Sequence, residues 1–236
     1  MTMLDDRQAI NTRGEPMRRV VVALFLAVLV AMAVTVSSPA ASGTPCTDTL
    51  APGTYQTVFV PAGATCIISE GPLTIRGGLV VGAGAIFIFG DEEAPNVNAT
   101  INGGVVAVNA NSVQIHFSTI NGGVILQGGS GPFPGPFEFF PGFAPTWNTL
   151  EDNTINGRVQ IDGYNGFWQG FIRNTVNGSV SFTNNHVLDE DGNELVTNTI
   201  HGNLNCSGNS PTPQVGDSEG EPNVVTGQKT GECAGV

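Results

Sequence analysis

The sequence predicts a parallel β-helix, an all-β solenoid with coils of about 20 residues. Three observations carry that prediction. The first is a repeated phrase. Asn153-Thr-Ile-Asn-Gly157 returns as Asn174-Thr-Val-Asn-Gly178 and Asn198-Thr-Ile-His-Gly202, with looser copies at Ala99–Gly103 and Ser118–Gly122 and a degenerate one ending at Gly77. Recurrence of one phrase at a near-constant period marks a stack of equivalent structural units. The second is alternation. In Asn153–Ile161 the residues Asn153, Ile155, Val159 and Ile161 fall on one side, and Thr154, Asn156, Arg158 and Gln160 on the other, which is the period of a strand. The third is a missing signal. No stretch beyond the N-terminal segment keeps an apolar stripe at helical spacing, and glycine, asparagine and β-branched residues dominate instead.

The elements follow in chain order. Residues 1–41 read as a secretory signal peptide with an extended N-region. Arg18-Arg19 precede an apolar run, Val20 to Val36, and small residues from Ser37 to Gly43 suit cleavage after Ala40 or Ala41. The run is short against the ~20 residues of a membrane span; an uncleaved anchor is the competing reading. Residues 42–72 form an expected N-terminal cap. Residues 73–205 carry the coils. Here Ile101, Ile120, Ile155, Val176 and Ile200 should stack as one inner column and Val105, Val124, Val159, Val180 and Leu204 as a second. Asn153, Asn174 and Asn198 should form an amide ladder at a bend, and the repeat glycines should sit where the chain turns a corner. Residues 206–236 form the expected C-terminal cap.

Two stretches break the rhythm. A Phe-rich insertion, 128–149, contains Phe139, Phe140 and Trp147, and a second segment, Gly163–Phe171, contains Tyr164 and Trp168. Four cysteines follow the signal segment. Three pairings are open; Cys46 with Cys66 and Cys206 with Cys233 is favoured, because each closes a loop of about one coil at one end of the stack. Disulfides fit an oxidising compartment. The spacings lack a C-x-x-C pair, which argues against zinc.

The stretch from Asn198-Thr-Ile-His-Gly-Asn-Leu-Asn-Cys206 to Gly231-Glu-Cys-Ala-Gly-Val236, with Pro61-Ala-Gly-Ala-Thr-Cys66 at the other end, resembles exported actinobacterial proteins built from N-T-[IV]-x-G-x-[VL] repeats. The resemblance covers the chain from about Cys46 onward. It implies a right-handed parallel β-helix with cysteines in the caps, and export. It implies no activity.

Composition narrows the function. The chain has 8 basic residues against 20 acidic ones and a net charge of −12. Such a surface repels phosphate backbones, so nucleic acid is excluded as a partner. Stable membrane insertion is not expected once the signal segment is removed. Clustered carboxylates with a nearby cation would suit polysaccharide cleavage, by a lyase or a glycoside hydrolase. The best local group, Asp152, Arg158, Asp162 and Arg173, reads better as solvated charge. His116 and His186 show no partner in the sequence, and His201 replaces an asparagine of the repeat. No catalytic residue, cofactor or metal ligand is therefore assigned. The acidic turn Asp189–Glu194 lacks the spacing of a calcium loop. The outer threonines (Thr100, Thr119, Thr154, Thr175, Thr199) read as strand surface. The expectation is a secreted, non-enzymatic β-helix with a structural or binding role and a glycan or cell-surface protein as partner. Its candidate ligand-contacting aromatics are Phe139, Phe140, Trp147, Tyr164 and Trp168, with a small satellite core as the other use of those rings.

Overall fold

Three short strands per coil, each pairing in parallel with its equivalents one coil before and after, give the chain a three-faced solenoid. The computed structural model of the chain describes residues 43–131, 147–216 and 220–236. These form three sheets of eight, nine and six strands. The first face holds the Thr-Ile dipeptides of the repeat: Ala99–Ile101, Thr119–Ile120, Thr154–Ile155, Thr175–Val176 and Thr199–Ile200. Gly53–Tyr55 and Leu73–Ile75 precede them and Val224–Val225 follows. The second face begins just past the repeat glycine, as in Val124–Gln127, Val159–Asp162 and Val180–Thr183. The third face carries Thr65–Ile68, Ile86–Phe89, Ser112–His116, Trp147–Glu151, Trp168–Ile172 and Glu194–Val196.

The register is the expected one. Ile101, Ile120, Ile155, Val176 and Ile200 align across successive first-face strands, and Val105, Val124, Val159, Val180 and Leu204 across the second. All are buried in one continuous core. Burying side chains of this size stabilises by about 1.5–3 kcal/mol each, so the two columns are a main source of the fold's stability. The threonines stand in register on the outside, from Thr54 and Thr74 to Thr199.

The repeat glycines do lie at a corner, but for a different physical reason than a turn. None has a left-handed φ. They stack directly on one another. A Cβ on Gly103 would lie 2.7 Å from the carbonyl carbon of Gly77, on Gly122 2.6 Å from that of Gly103, and on Gly178 2.6 Å from the oxygen of Gly157. The backbones pass too close at this edge for any side chain. Left-handed residues sit at the other two corners, where glycines such as Gly84, Gly90 and Gly163 alternate with residues that carry side chains: Phe117, Asp152, Arg173 and Thr197 between the third and first faces, and Asn109 and Asn184 between the second and third.

The amide ladder exists and is longer than the three expected members. The side-chain oxygen of Asn174 accepts from the backbone N–H of Asn153, that of Asn198 from Asn174, and that of Asn223 from Asn198, at 2.8–3.1 Å. Ser118 begins it, its N–H donating to Asn153 at 2.9 Å. Each amide also donates inward to a backbone carbonyl of the adjacent third-face strand one coil back, as Asn174 does to Leu150 at 2.7 Å. A second ladder, not foreseen, joins Asn185 to Asn209 and ends on the carboxylate of Glu232.

The segments expected as caps also carry coil strands. Val58–Val60 and Thr65–Ile68 pair with the next coil, and Val224–Val225 and Lys229–Gly231 extend two sheets at the other end. Both favoured disulfides form: Cys46–Cys66 and Cys206–Cys233, with Cα separations of 5.5 and 5.2 Å. All four sulfur-bearing residues are fully buried. Among the described residues no helix is long and apolar enough to cross a membrane. The expected signal segment lies outside the described residues.

Candidate functional site

The outer surfaces of the first and second faces follow the repeat, whereas the outer surface of the third face does not. A strand alternates its side chains, so Ser112, Gln114 and His116 point outward from one third-face strand. Trp147, Thr149 and Glu151 are their register partners on the next coil, followed by Trp168, Gly170 and Ile172. Most of these outward residues are nonetheless buried: Gln114 is 6 % exposed, His116 5 % and Glu151 4 %. They form the floor of a cleft of about 620 Å³. Trp147, Phe167 and Trp168 line it with them, and Asp91, Glu92, Asp189 and Arg173 stand around it.

The two tryptophans are partners in register on adjacent coils. Both are half-buried and both line the cleft. The indole of Trp168 reaches along its own strand over Gly170, where any Cβ would collide with the ring. Gly170 is thus the residue that lets this ring lie against the sheet.

Charge on the floor comes from three coils. Nδ1 of His116 lies 3.3 Å from Oε2 of Glu151, at an angle that makes no hydrogen bond. The guanidinium of Arg173 donates to Oε1 of Glu151 and, in a fork, to both oxygens of Asp152 at 2.9 Å. Hydrogen bonding to Asp152, reinforced by the neighbouring charge of Glu151, raises the Arg173 pKa further above its ordinary value. Arg173 and Asp152 hold their positions through the left-handed corner, φ 53° and 55°, which turns both side chains toward the same edge of the cleft.

The structure divides the residues singled out from sequence. Trp147 and Trp168 meet in the cleft. Trp147 belongs to a third-face strand rather than to the insertion. Phe139 and Phe140 lie outside the described residues. Tyr164 is withdrawn from the set of ligand-contacting rings. It is 1 % exposed, and its hydroxyl donates to the carbonyl of Asn111 at 2.9 Å. Burial raises its pKa above the phenol range. Of the charged group Asp152, Arg158, Asp162 and Arg173, only Asp152 and Arg173 meet. Arg158 is exposed at the glycine corner, and Asp162 accepts from Thr183 and Asn184 on the second face. Glu151, Gln114 and the pairing of His116 were missed. No local motif marks them; only the register across the insertion brings His116 and Glu151 together. Among the described residues no group of three or more His, Cys, Asp or Glu could hold a metal ion.

Comparison with known protein families, curated proteins and solved structures finds no match.

Proposed function

We propose that this is an exported, non-enzymatic β-helix protein that binds an extended glycan along its third face. The observation that carries the reading is the register pair Trp147 and Trp168 beside Phe167 in one cleft. Aromatic rings with buried polar groups between them suit sugars, which present an apolar face and a fringe of hydroxyls. The cleft takes residues from the second coil (Ile88, Gly90) to the sixth (Asp189). Four steps of ~4.8 Å make it about 19 Å long along the solenoid axis. That is a groove for a chain of several sugar rings rather than for a single small molecule.

Binding is favoured over cleavage because Oε1 of Glu151 accepts from Arg173, while Oε2 faces the His116 ring at 3.3 Å without a hydrogen bond. Among the described residues, the one carboxyl group on the floor is thus held by Arg173 rather than free to hand a proton to a glycosidic oxygen. Export is supported by the signal-like segment before Gly43 and by two disulfides, which fit an oxidising compartment. The N-T-[IV]-x-G repeat and the C-terminal stretch from Asn198 support a place among the exported actinobacterial β-helix proteins it resembles.

Sedimentation with insoluble cell-wall polysaccharide tests the binding. The protein should pellet with the polysaccharide and remain in the supernatant without it. Trp168→Ala should abolish pelleting and leave the melting temperature within a few degrees. Wild-type protein that stays in the supernatant with every polysaccharide, or a Trp168→Ala variant that pellets as well as wild type, would overturn the reading.

A further inference from the structure

The glycan cleft carries more negative charge than its floor can neutralise. Among the described residues that line it, the one permanent cation, Arg173, is taken up by Glu151 and Asp152. Asp91, Glu92 and Asp189 also line the cleft, and among the described residues none of them has a cationic partner. Asp91 and Asp189 are fixed in place, each accepting a backbone N–H two residues on, from Glu93 at 2.9 Å and from Asp191 at 3.2 Å. They sit at opposite ends of the groove, one on the loop after the second coil and one in the sixth.

The floor gives an independent sign of a polar ligand. Gln114 is 6 % exposed; its amide nitrogen donates to Ser112 at 3.2 Å, and its oxygen accepts nothing among the described residues. His116 is 5 % exposed, and its Nδ1, 3.3 Å from Oε2 of Glu151, makes no hydrogen bond among the described residues. Both line the cleft. Buried polar groups are ordinarily satisfied, so the unbonded Nδ1 of His116, on the same strand as the open amide oxygen of Gln114, marks where a ligand's hydroxyl or amino groups would be read.

Resting on the glycan reading above, we infer that the ligand is a cationic glycan, a polymer of hexosamine units whose amino groups are free rather than acetylated. The indoles take the sugar faces. Gln114 and His116 take hydroxyls. Asp91, Glu92 and Asp189 take ammonium groups along the chain. A uronic-acid polymer is repelled by the same carboxylates. A neutral polymer satisfies the floor but leaves the rim charges unpaired. Charged groups lining a concave site select partners by sign and raise the encounter rate.

Calorimetric titration of the purified protein with three hexamers tests this: β-1,4-linked glucosamine, its fully N-acetylated form, and β-1,4-linked glucose. The glucosamine hexamer should bind roughly ten-fold tighter than either other, a difference of ~1.4 kcal/mol. The preference should shrink toward nothing in ~1 M salt, where the screening length falls to about 3 Å. The triple variant Asp91→Asn, Glu92→Gln, Asp189→Asn should lose the preference while keeping the melting temperature and the weak binding of the neutral hexamer. Equal affinity for all three hexamers, or tighter binding of the acetylated one, overturns the cationic inference and leaves the glycan cleft standing. Binding of none overturns both. Hexalysine binding as tightly as the glucosamine hexamer and unaffected by Trp168→Ala also overturns the inference, since charge alone would then explain the site.

Discussion

Asn174 is the position where the worth of the inner amide ladder can be measured. Its side-chain oxygen accepts from both the backbone N–H and the amide of Asn153, each at 3.1 Å. Its nitrogen donates to Leu150 O at 2.7 Å and to Asn198 Oδ1 at 3.1 Å. Replacement by alanine removes all four. Some partners are covered: the Asn153 amide still reaches Ile115 O, and Asn198 Oδ1 still accepts from the Asn174 backbone. The Asn153 N–H is left alone in a residue only 2 % exposed. A hydrogen bond contributes about 1 kcal/mol net, and a buried orphan donor costs about 1–3 kcal/mol. The expected loss is therefore about 4 kcal/mol. At roughly 2–4 °C per kcal/mol for a domain of this size, the midpoint should fall by about 8–16 °C. Asn177→Ala is the control. Asn177 also belongs to an amide ladder, donating to Asn156 at 2.6 Å, but on the exposed outer column. Water replaces its partners there, and the cost should stay near 0.5 kcal/mol. Urea unfolding followed by circular dichroism compares the two. A gap between them smaller than about 1 kcal/mol would refute the reasoning that burial, not the amide stack itself, sets the energy.

Four further outcomes can be checked in the same assay. Gly178→Ala puts a Cβ 2.6 Å from the Gly157 oxygen and should destabilise by several kcal/mol, roughly the range of severe backbone clashes. Gly235→Ala meets nothing within 4 Å and should be neutral. Gln169 lies fully buried, and neither end of its amide has a hydrogen-bond partner among the described residues; Gln169→Leu should raise stability by about 1–3 kcal/mol, and a loss on chemical denaturation would show a hidden role for that amide. Tyr164 gives a pH signature. Burial raises its pKa in the folded state above the unfolded value, so its contribution is complete below pH ~10 and declines as pH rises through the folded value. Tyr164→Phe should remove that alkaline slope, and an identical slope in the variant would show that another group is responsible.

The first two faces were legible because each coil repeats the same inward residues. Ile155 and Val159 predict the placement of Val176 and Val180 without any knowledge of distance. The third face was not legible, since its outward columns change at every coil: His116, then Glu151, then Ile172. Strand periodicity says which side a residue faces, not which residue stands beside it one coil away. The Phe-rich insertion falls between Gln127 and Trp147 and hid the match of His116 to Glu151. Trp147 was assigned to that insertion for the same reason. Tyr164 was misplaced because an aromatic in a glycine-rich break looks exposed, whereas its ring fills the corner beside Asn111. The glycine corner was located correctly but misattributed. A stack of identical glycines reads like a run of turns, and only the distances between neighbouring backbones separate the two causes. The second amide ladder was invisible because Asn185 and Asn209 share no surrounding phrase.

The matched register of the coils has a consequence for how such a chain can change length. Asn153 and Asn174 begin equivalent coils and occupy equivalent points of one ladder. Excising Thr154–Asn174 would join Asn153 to Thr175 and leave every remaining strand beside a neighbour of its own kind. The repeated phrase is thus a splice point, at which a whole coil can be gained or lost without disturbing the rest. The cleft does not share that freedom. Its floor is assembled from dissimilar coils, so the cut that spares the scaffold removes Trp168 and Arg173 together. In this molecule length is a replaceable quantity, whereas the order of coils beneath the tryptophans is not.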